Sequence, residues 1–155
     1  MKRGVMMRQA KTNKKAVLLP EGSSLTARET LTALAQSGIA VDILSSSGFA
    51  VTAFSRWKRK VIRVVNVNRE PEIYLNTVAQ LLRSGEYAAL IPTHEQAWLF
   101  AEEKEFLPGG YILVADREAF ARVQGKIAFA ELADEIGLPQ PRWERLDLGR
   151  APAVP

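Results

Sequence analysis

Along the chain, short runs of consecutive apolar residues alternate with longer stretches in which apolar positions recur every three or four residues. The short runs are AVLLP (16–20), IAVDIL (39–44), VIRVV (61–65), YAALIP (87–92) and YILVA (111–115). They are rich in branched side chains and bounded by turn formers, which predicts strands. The stretches between them predict helices. TARE (26–29) has capping-box spacing, in which Thr and Glu satisfy each other's free backbone donors, and Leu31, Leu34 and Ala35 continue one apolar stripe to a stop at Gly38. Pro71 opens a second helix with Ile73, Leu75, Val78, Leu81 and Leu82 on its apolar face, ended by Gly85. THEQ (93–96) repeats the capping-box spacing before a helix to about residue 104. Asp116 caps a short helix to Val123, and 126–136 is the last clear helix.

Strands that are apolar throughout, alternating with amphipathic helices, imply a mainly parallel sheet covered on both faces. Right-handed crossovers make it a doubly wound, Rossmann-like α/β fold of about five strands. Such sheets bind ligands at the carboxyl ends of their strands, which here are residues 20–24, 45–48, 66–69, 93–96 and Asp116.

Composition narrows this picture. The 155 residues suffice for one domain with a core, and 47% apolar with 25% charged residues fits a globular chain. No apolar run approaches the roughly 20 residues of a membrane span. The absence of cysteine removes disulfides, thiolate metal sites and cysteine nucleophiles and fits a reducing cytoplasm. A single histidine, His94, excludes a multi-His metal centre.

The net charge of +4 points to nucleic acid only at first sight. Residues 1–15 hold six cations and no acid; taking those six from the 21 basic residues leaves 15 against 17 acidic, a net −2. The basicity is that of a solvated, disordered tail, which lacks the apolar core of a signal peptide. SRWKRKVIR (55–63) sets Arg56, Lys58, Arg59, Lys60 and Arg63 around Trp57, a mixture that can bind single strands by charge and stacking. The patch is short and runs straight into a strand, so it reads equally as a solvated loop or as charge that meets an acidic neighbouring domain.

The first strand-end loop, PEGSS, lacks the glycine spacing and the lysine of a pyrophosphate cradle. Ser23 and Ser24 either donate to an anion at the helix N-terminus or simply cap the helix. A phosphorylation receiver would need paired acids after the first strand and an Asp after the third; Glu21 alone and Asn66–Asn68 stand there. Thr93, His94 and Glu95 close the fourth strand, facing a ligand or forming a helix cap.

GKIAFAELADEIGLPQP (125–141) resembles the segment that joins the N-terminal domain of ATP-grasp ligases to their ATP-binding half: a Lys, an apolar helix, then Gly, an aliphatic residue and Pro-x-Pro. The order of elements over residues 16–146 is similar to the Rossmann-like pre-ATP-grasp domain of carboxylate–amine ligase-like proteins. The resemblance implies that Lys126 reaches nucleotide phosphates, and that Glu21, Gly22, Ser23, Ser24, Thr93, His94 and Glu95 line a substrate pocket. It implies ATP and Mg²⁺ as cofactors of the parent enzyme, with none expected for these residues alone and no catalytic residue or metal ligand among them.

ATP-grasp catalysis needs two further subdomains, for which residues 144–155 are too few. The expected organisation is therefore a tail (1–15), the Rossmann-like domain (16–124), a linker helix and entry to an ATP-grasp domain (125–146) and a frayed end (147–155). The expected partner is that missing domain or a separate ligase chain. Ile127, Phe129, Leu132, Ile136, Leu138 and Trp143 are then expected to lack full cover, marking the interface or a homodimer contact. The alternative is a stand-alone Rossmann-like module that binds a small molecule or a protein.

Overall fold

The structure, a computed structural model, describes residues 15–108 and 111–146. The tail and frayed end expected at 1–15 and 147–155 lie, Lys15 apart, outside these residues. The elements run β1 (Ala16–Leu19), α1 (Leu25–Gln36), β2 (Val41–Ser45), a 3₁₀ turn (Val51–Phe54), β3 (Lys60–Arg63), α2 (Pro71–Arg83), β4 (Tyr87–Leu90), α3 (Gln96–Glu102), β5 (Tyr111–Ile112), α4 (Arg117–Gln124) and α5 (Lys126–Glu135). The five strands form one sheet in the order β3-β2-β1-β4-β5, every pairing parallel. This is the Rossmann-like α/β architecture that the apolar runs predict. Among the described residues no helix is long and apolar enough to cross a membrane.

Side chains alternate across a strand, and β1 supplies both cores. Ala16 and Leu18 join Leu44, Tyr74, Leu75, Val78, Leu90 and Phe100 on the face covered by α2 and α3. Val17 and Leu19 join Leu31 of α1 with Val41 and Ile43 on the other. Only β1 and β2 are buried at every position; β3 is exposed at both ends, as an edge strand with one neighbour must be. Edge placement explains how VIRVV tolerates Arg63.

Two helix starts differ from expectation. The cap of α1 is Ser24, whose Oγ accepts from the Ala27 N–H at 3.0 Å, so Thr26 already lies within the helix. At THEQ no capping box forms. The Thr93 hydroxyl donates to Glu21 Oε1 at 3.3 Å, and α3 begins only at Gln96, without a side-chain cap. A buried carboxylate is the stronger acceptor. Asp116 caps α4 as expected, accepting from the Ala119 N–H at 2.8 Å.

One charge lies within the sheet. Asp42 of β2 is fully buried. It accepts a two-pronged bond from Arg59 (Nε to Oδ1 2.7 Å, Nη2 to Oδ2 2.5 Å) and a third from the Tyr87 hydroxyl at 2.7 Å, with Lys60 Nζ at 3.4 Å. Desolvation is the largest influence on its carboxyl and acts upward. The hydrogen bonds from Arg59 and Tyr87, with the charges of Arg59 and Lys60, outweigh it and hold Asp42 below its ordinary value. Burial, then the bond to Asp42, pushes the Tyr87 hydroxyl up to about 12.

Asp42→Asn should lower stability by about 2 kcal/mol in urea unfolding near neutral pH, less than for a fully buried pair because Arg59 and Lys60 reach solvent. Because the native pKa lies below the unfolded value of about 3.9, this contribution is present above that pH and lost as pH falls through the native value. The difference between wild type and variant should therefore shrink below about pH 4.

Candidate functional site

The order β3-β2-β1-β4-β5 sends the chain outward on one side of β1 and then returns it to the other side. The strand ends separate at this switch between β1 and β4, where open α/β sheets take their ligands. A cleft of about 320 Å³ lies there. Its walls are residues 20–24 after β1, the end of β2 at Leu44–Ser46, residues after β3 including Val64, Val65 and Asn68, Tyr74 of α2, and His94, Glu95 and Gln96 after β4. Six of the seven pocket residues expected from sequence line it together: Glu21, Gly22, Ser23, Ser24, His94 and Glu95. The seventh, Thr93, bonds to Glu21.

Glu21 organises this end of the sheet. Its carboxylate is nearly buried, at 8% exposure. Oε2 accepts from the backbone N–H groups of Ser23 (2.7 Å) and Ser24 (3.1 Å); Oε1 accepts from the hydroxyls of Ser24 and Thr93. The donors that would otherwise greet an anion at the α1 N-terminus are thus engaged by the chain's own carboxylate, while Ser24 also caps the helix. Both roles considered for the serines are filled internally.

Gly22 fastens the loop from below. Its carbonyl accepts from the Thr52 N–H at 3.1 Å and the Thr52 hydroxyl at 2.8 Å. A Cβ at this glycine would stand 2.3 Å from Thr52 Oγ1 and 2.7 Å from Ile43 Cγ2. The close approach requires glycine here, although the motif is not a phosphate loop. Tyr74 is held from the other side, its hydroxyl donating to the Pro20 carbonyl; burial first, and the Glu21 charge second, push that hydroxyl above its usual range.

Lys126 does not join the cleft. It is the first residue of α5, exposed, behind Gly125 at the N-cap, and it makes no hydrogen bond or ion pair among the described residues. α5 packs on α4, with an Arg122–Glu135 pair at 2.6 Å between them. The segment after it folds back: Gln140 Nε2 donates to the Ala130 carbonyl at 2.9 Å, and Trp143 Nε1 donates to Asp134 at 2.9 Å. Ile127, Phe129, Ile136, Leu138 and Trp143 nevertheless stay exposed, and Leu132 is half-buried.

Ser45, Ser46, Asn68 and Gln96 fall within strand ends that the sequence marks as ligand-binding, although none of them stands out as a pocket residue there. Tyr74 was missed, because on a helix periodicity signals only packing.

No family profile matches the chain, and no curated protein does. Solved structures do. A complete multifunctional pyruvate carboxylase from Rhizobium etli aligns with a TM-score of 0.60 at 16% identity, over 83% of this chain and 13% of its own. The biotin carboxylase domain of a thermophilic 2-oxoglutarate carboxylase, bound to bicarbonate, aligns with a TM-score of 0.59 at 19% identity, over 81% and 28%. A second Rhizobium etli pyruvate carboxylase structure, with acetyl coenzyme A, gives 0.57 at 18%, over 86% and 14%. At such identities the likeness is one of fold. This chain has a Rossmann-like α/β fold, and it spans less than a third of the length of each of these neighbours.

Gly22→Ala should destabilise the domain by about 1–3 kcal/mol, the usual range for an overpacked interior. Thermal unfolding would show it, and pairing it with Thr52→Ala, which removes the nearest clashing atom, should recover part of the loss.

Proposed function

We propose that this domain is the substrate-side, N-terminal part of an ATP-grasp ligase: a cytoplasmic enzyme in which ATP activates a carboxylate as an acyl phosphate that an amine then attacks. The observation that carries the reading is the linker. A Rossmann-like fold ends in an α5 that opens with Lys126, packs on α4 and leaves Ile127, Phe129, Ile136 and Leu138 uncovered. That is the surface a following domain would cover. The neighbours that share the fold are carboxylases several times longer than this chain.

The chain's own residues divide the work. The cleft loops, 21–24 and 93–95, hold the substrate at the strand ends. Lys126 extends an ammonium from the first turn of α5, where a cation opposes the helix dipole unless an anion is brought to it. A phosphate supplies that anion, and a flexible lysine suits it as a mobile point charge. Among the described residues no group of three or more His, Asp or Glu side chains is placed to hold a metal ion, and no Lys or Arg lines the cleft. An ATP-grasp domain, on the same chain or a separate one, would supply the ligands of Mg²⁺ and the rest of the nucleotide site.

ADP release tests the reading. The 155-residue chain should release none from ATP with Mg²⁺, carboxylates and amines. The longest natural reading frame containing it, or its ligase partner with it, should release ADP only when carboxylate and amine are both present. Lys126→Ala should slow that release about tenfold or more. Turnover by the 155 residues alone, or a longer frame and partner that never consume ATP, would overturn the proposal.

A further inference from the structure

The segment between β2 and β3 leaves apolar side chains in solvent, and they are gathered rather than scattered. Phe49 is 87% exposed, Phe54 74% and Val51 38%, with Trp57 half-buried beside them. All four line a groove of about 700 Å³, to which α1 contributes Arg28. We infer that this groove docks an acidic amphipathic helix of a partner protein. Apolar side chains of that helix enter beside Phe49, Val51 and Phe54, and its carboxylates meet Arg28 and Arg56.

The 3₁₀ turn Val51–Phe54 fixes which side chains face outward. Residues three apart lie over one another in such a turn, so Val51 and Phe54 share its outer side. Thr52 between them is fully buried, and its N–H and hydroxyl both donate to the Gly22 carbonyl, at 3.1 and 2.8 Å. Ala50 is buried as well. The turn is pinned from within, and the apolar pair outside takes no part in the pinning. An apolar edge held in this way loses little conformational freedom on binding. With Phe49 it forms one contiguous patch, which marks an interaction surface where a single exposed residue would not.

Charge sets the sign of the partner. Arg28 and Arg56 line the groove and no Asp or Glu does. Both arginines are exposed, and neither has an ion pair among the described residues. Arg56 lies over the Trp57 ring at 4.8 Å, which holds the guanidinium at the groove without supplying a counter-ion. Glu29 lines the adjoining recess along α1, with Leu25, rather than this one. Two guanidinium groups beside an apolar surface match two carboxylates on the rim of an apolar helix face, and each can hold its carboxylate in a two-pronged bond.

The same features disfavour other occupants. A second copy that met the groove with the same face would set arginines against arginines. A nucleic-acid strand needs bare aromatic faces and a track of cations. Here Arg56 covers a face of Trp57, Arg59 and Lys60 are engaged by Asp42, and Lys58 donates to the Ser55 carbonyl. A bilayer is flat and leaves a recessed groove unfilled, whereas an amphipathic helix fills one.

The test is selection from a phage-displayed library of random sixteen-residue peptides, with the 155-residue protein as bait and Phe49→Ser/Phe54→Ser for counter-selection. Both phenylalanines are exposed, so this variant should keep the wild-type melting temperature; if it does not fold, Phe54→Ser alone takes its place. Enriched peptides should be net acidic, with apolar residues at helical spacing. The tightest of them, synthesised and labelled, should bind about tenfold or more weakly to Arg28→Glu or Arg56→Glu in fluorescence anisotropy, and should weaken as salt rises. A counterpart with lysine in place of each acid should prefer the Arg28→Glu/Arg56→Glu double variant to the wild type, a reversal that an indiscriminate apolar patch would not show. No enrichment, enrichment of neutral or basic peptides, or binding indifferent to both arginines would overturn the inference. So would a wild-type dimer that Phe49→Ser/Phe54→Ser dissociates in sedimentation. Binding of oligodeoxyuridine, or of phosphatidylcholine vesicles holding one-third phosphatidylglycerol, would overturn it too if Phe49→Ser/Phe54→Ser abolished that binding.

Discussion

Everything in this domain is arranged around the burial of β1 on both faces. Ala16, Val17, Leu18 and Leu19 are four consecutive apolar side chains, and alternation sends two to each core. Such a strand cannot stand at an edge, so it takes a neighbour on each side, β2 and β4. Because both pairings are parallel, each connection must cross a face of the sheet, and the helices that cross are the ones that cover it. The reversal of strand order that follows is also what opens the cleft. One run of branched side chains thus underlies both the core and the site.

Polar groups are pressed toward the two ends of the sheet, and each end buries one carboxylate in a different manner. Asp42, beside the starting ends of the strands, is answered by cations, Arg59 and Lys60, with Tyr87 between them. Glu21, beyond the carboxyl end of β1, is answered by N–H and O–H dipoles. Both are satisfied. The first carboxylate is answered by full charges and the second by the N-terminal end of α1 and two hydroxyls, and the cleft lies beside the second.

The same contrast bears on the basic stretch 55–63. Arg59 and Lys60 serve Asp42 and reach Glu86 at 3.6 and 3.3 Å. Arg56 lies over the Trp57 ring at 4.8 Å, and Lys58 Nζ donates to the Ser55 carbonyl at 3.0 Å. Trp57 itself packs partly against the α1-side core. A segment that looks like a nucleic-acid stripe is largely absorbed in fastening an edge strand and a loop to the body of the domain.

The sequence by itself determined the number of strands, their parallel order of burial, most helix limits and the two loops that meet at the cleft, because each of these follows from local periodicity and from the solvation of apolar runs. Nothing in the apolar run IAVDIL marked Asp42 as special, and Gly22 in PEGSS was named only as a residue of a pocket loop, because their partners stand many positions away, at Arg59, Tyr87 and Thr52. Capping spacing at 26–29 and 93–96 was read correctly as a helix signal and wrongly as a cap. A local pattern cannot register that Thr93 has a carboxylate within reach from residue 21. Only the tertiary structure decided that Glu21 fills the place of an anion, that Tyr74 walls the cleft, and that Lys126 stands apart from it. Charge compensation and hydrogen-bond satisfaction depend on distances through space, which the spacing of residues along a chain does not record.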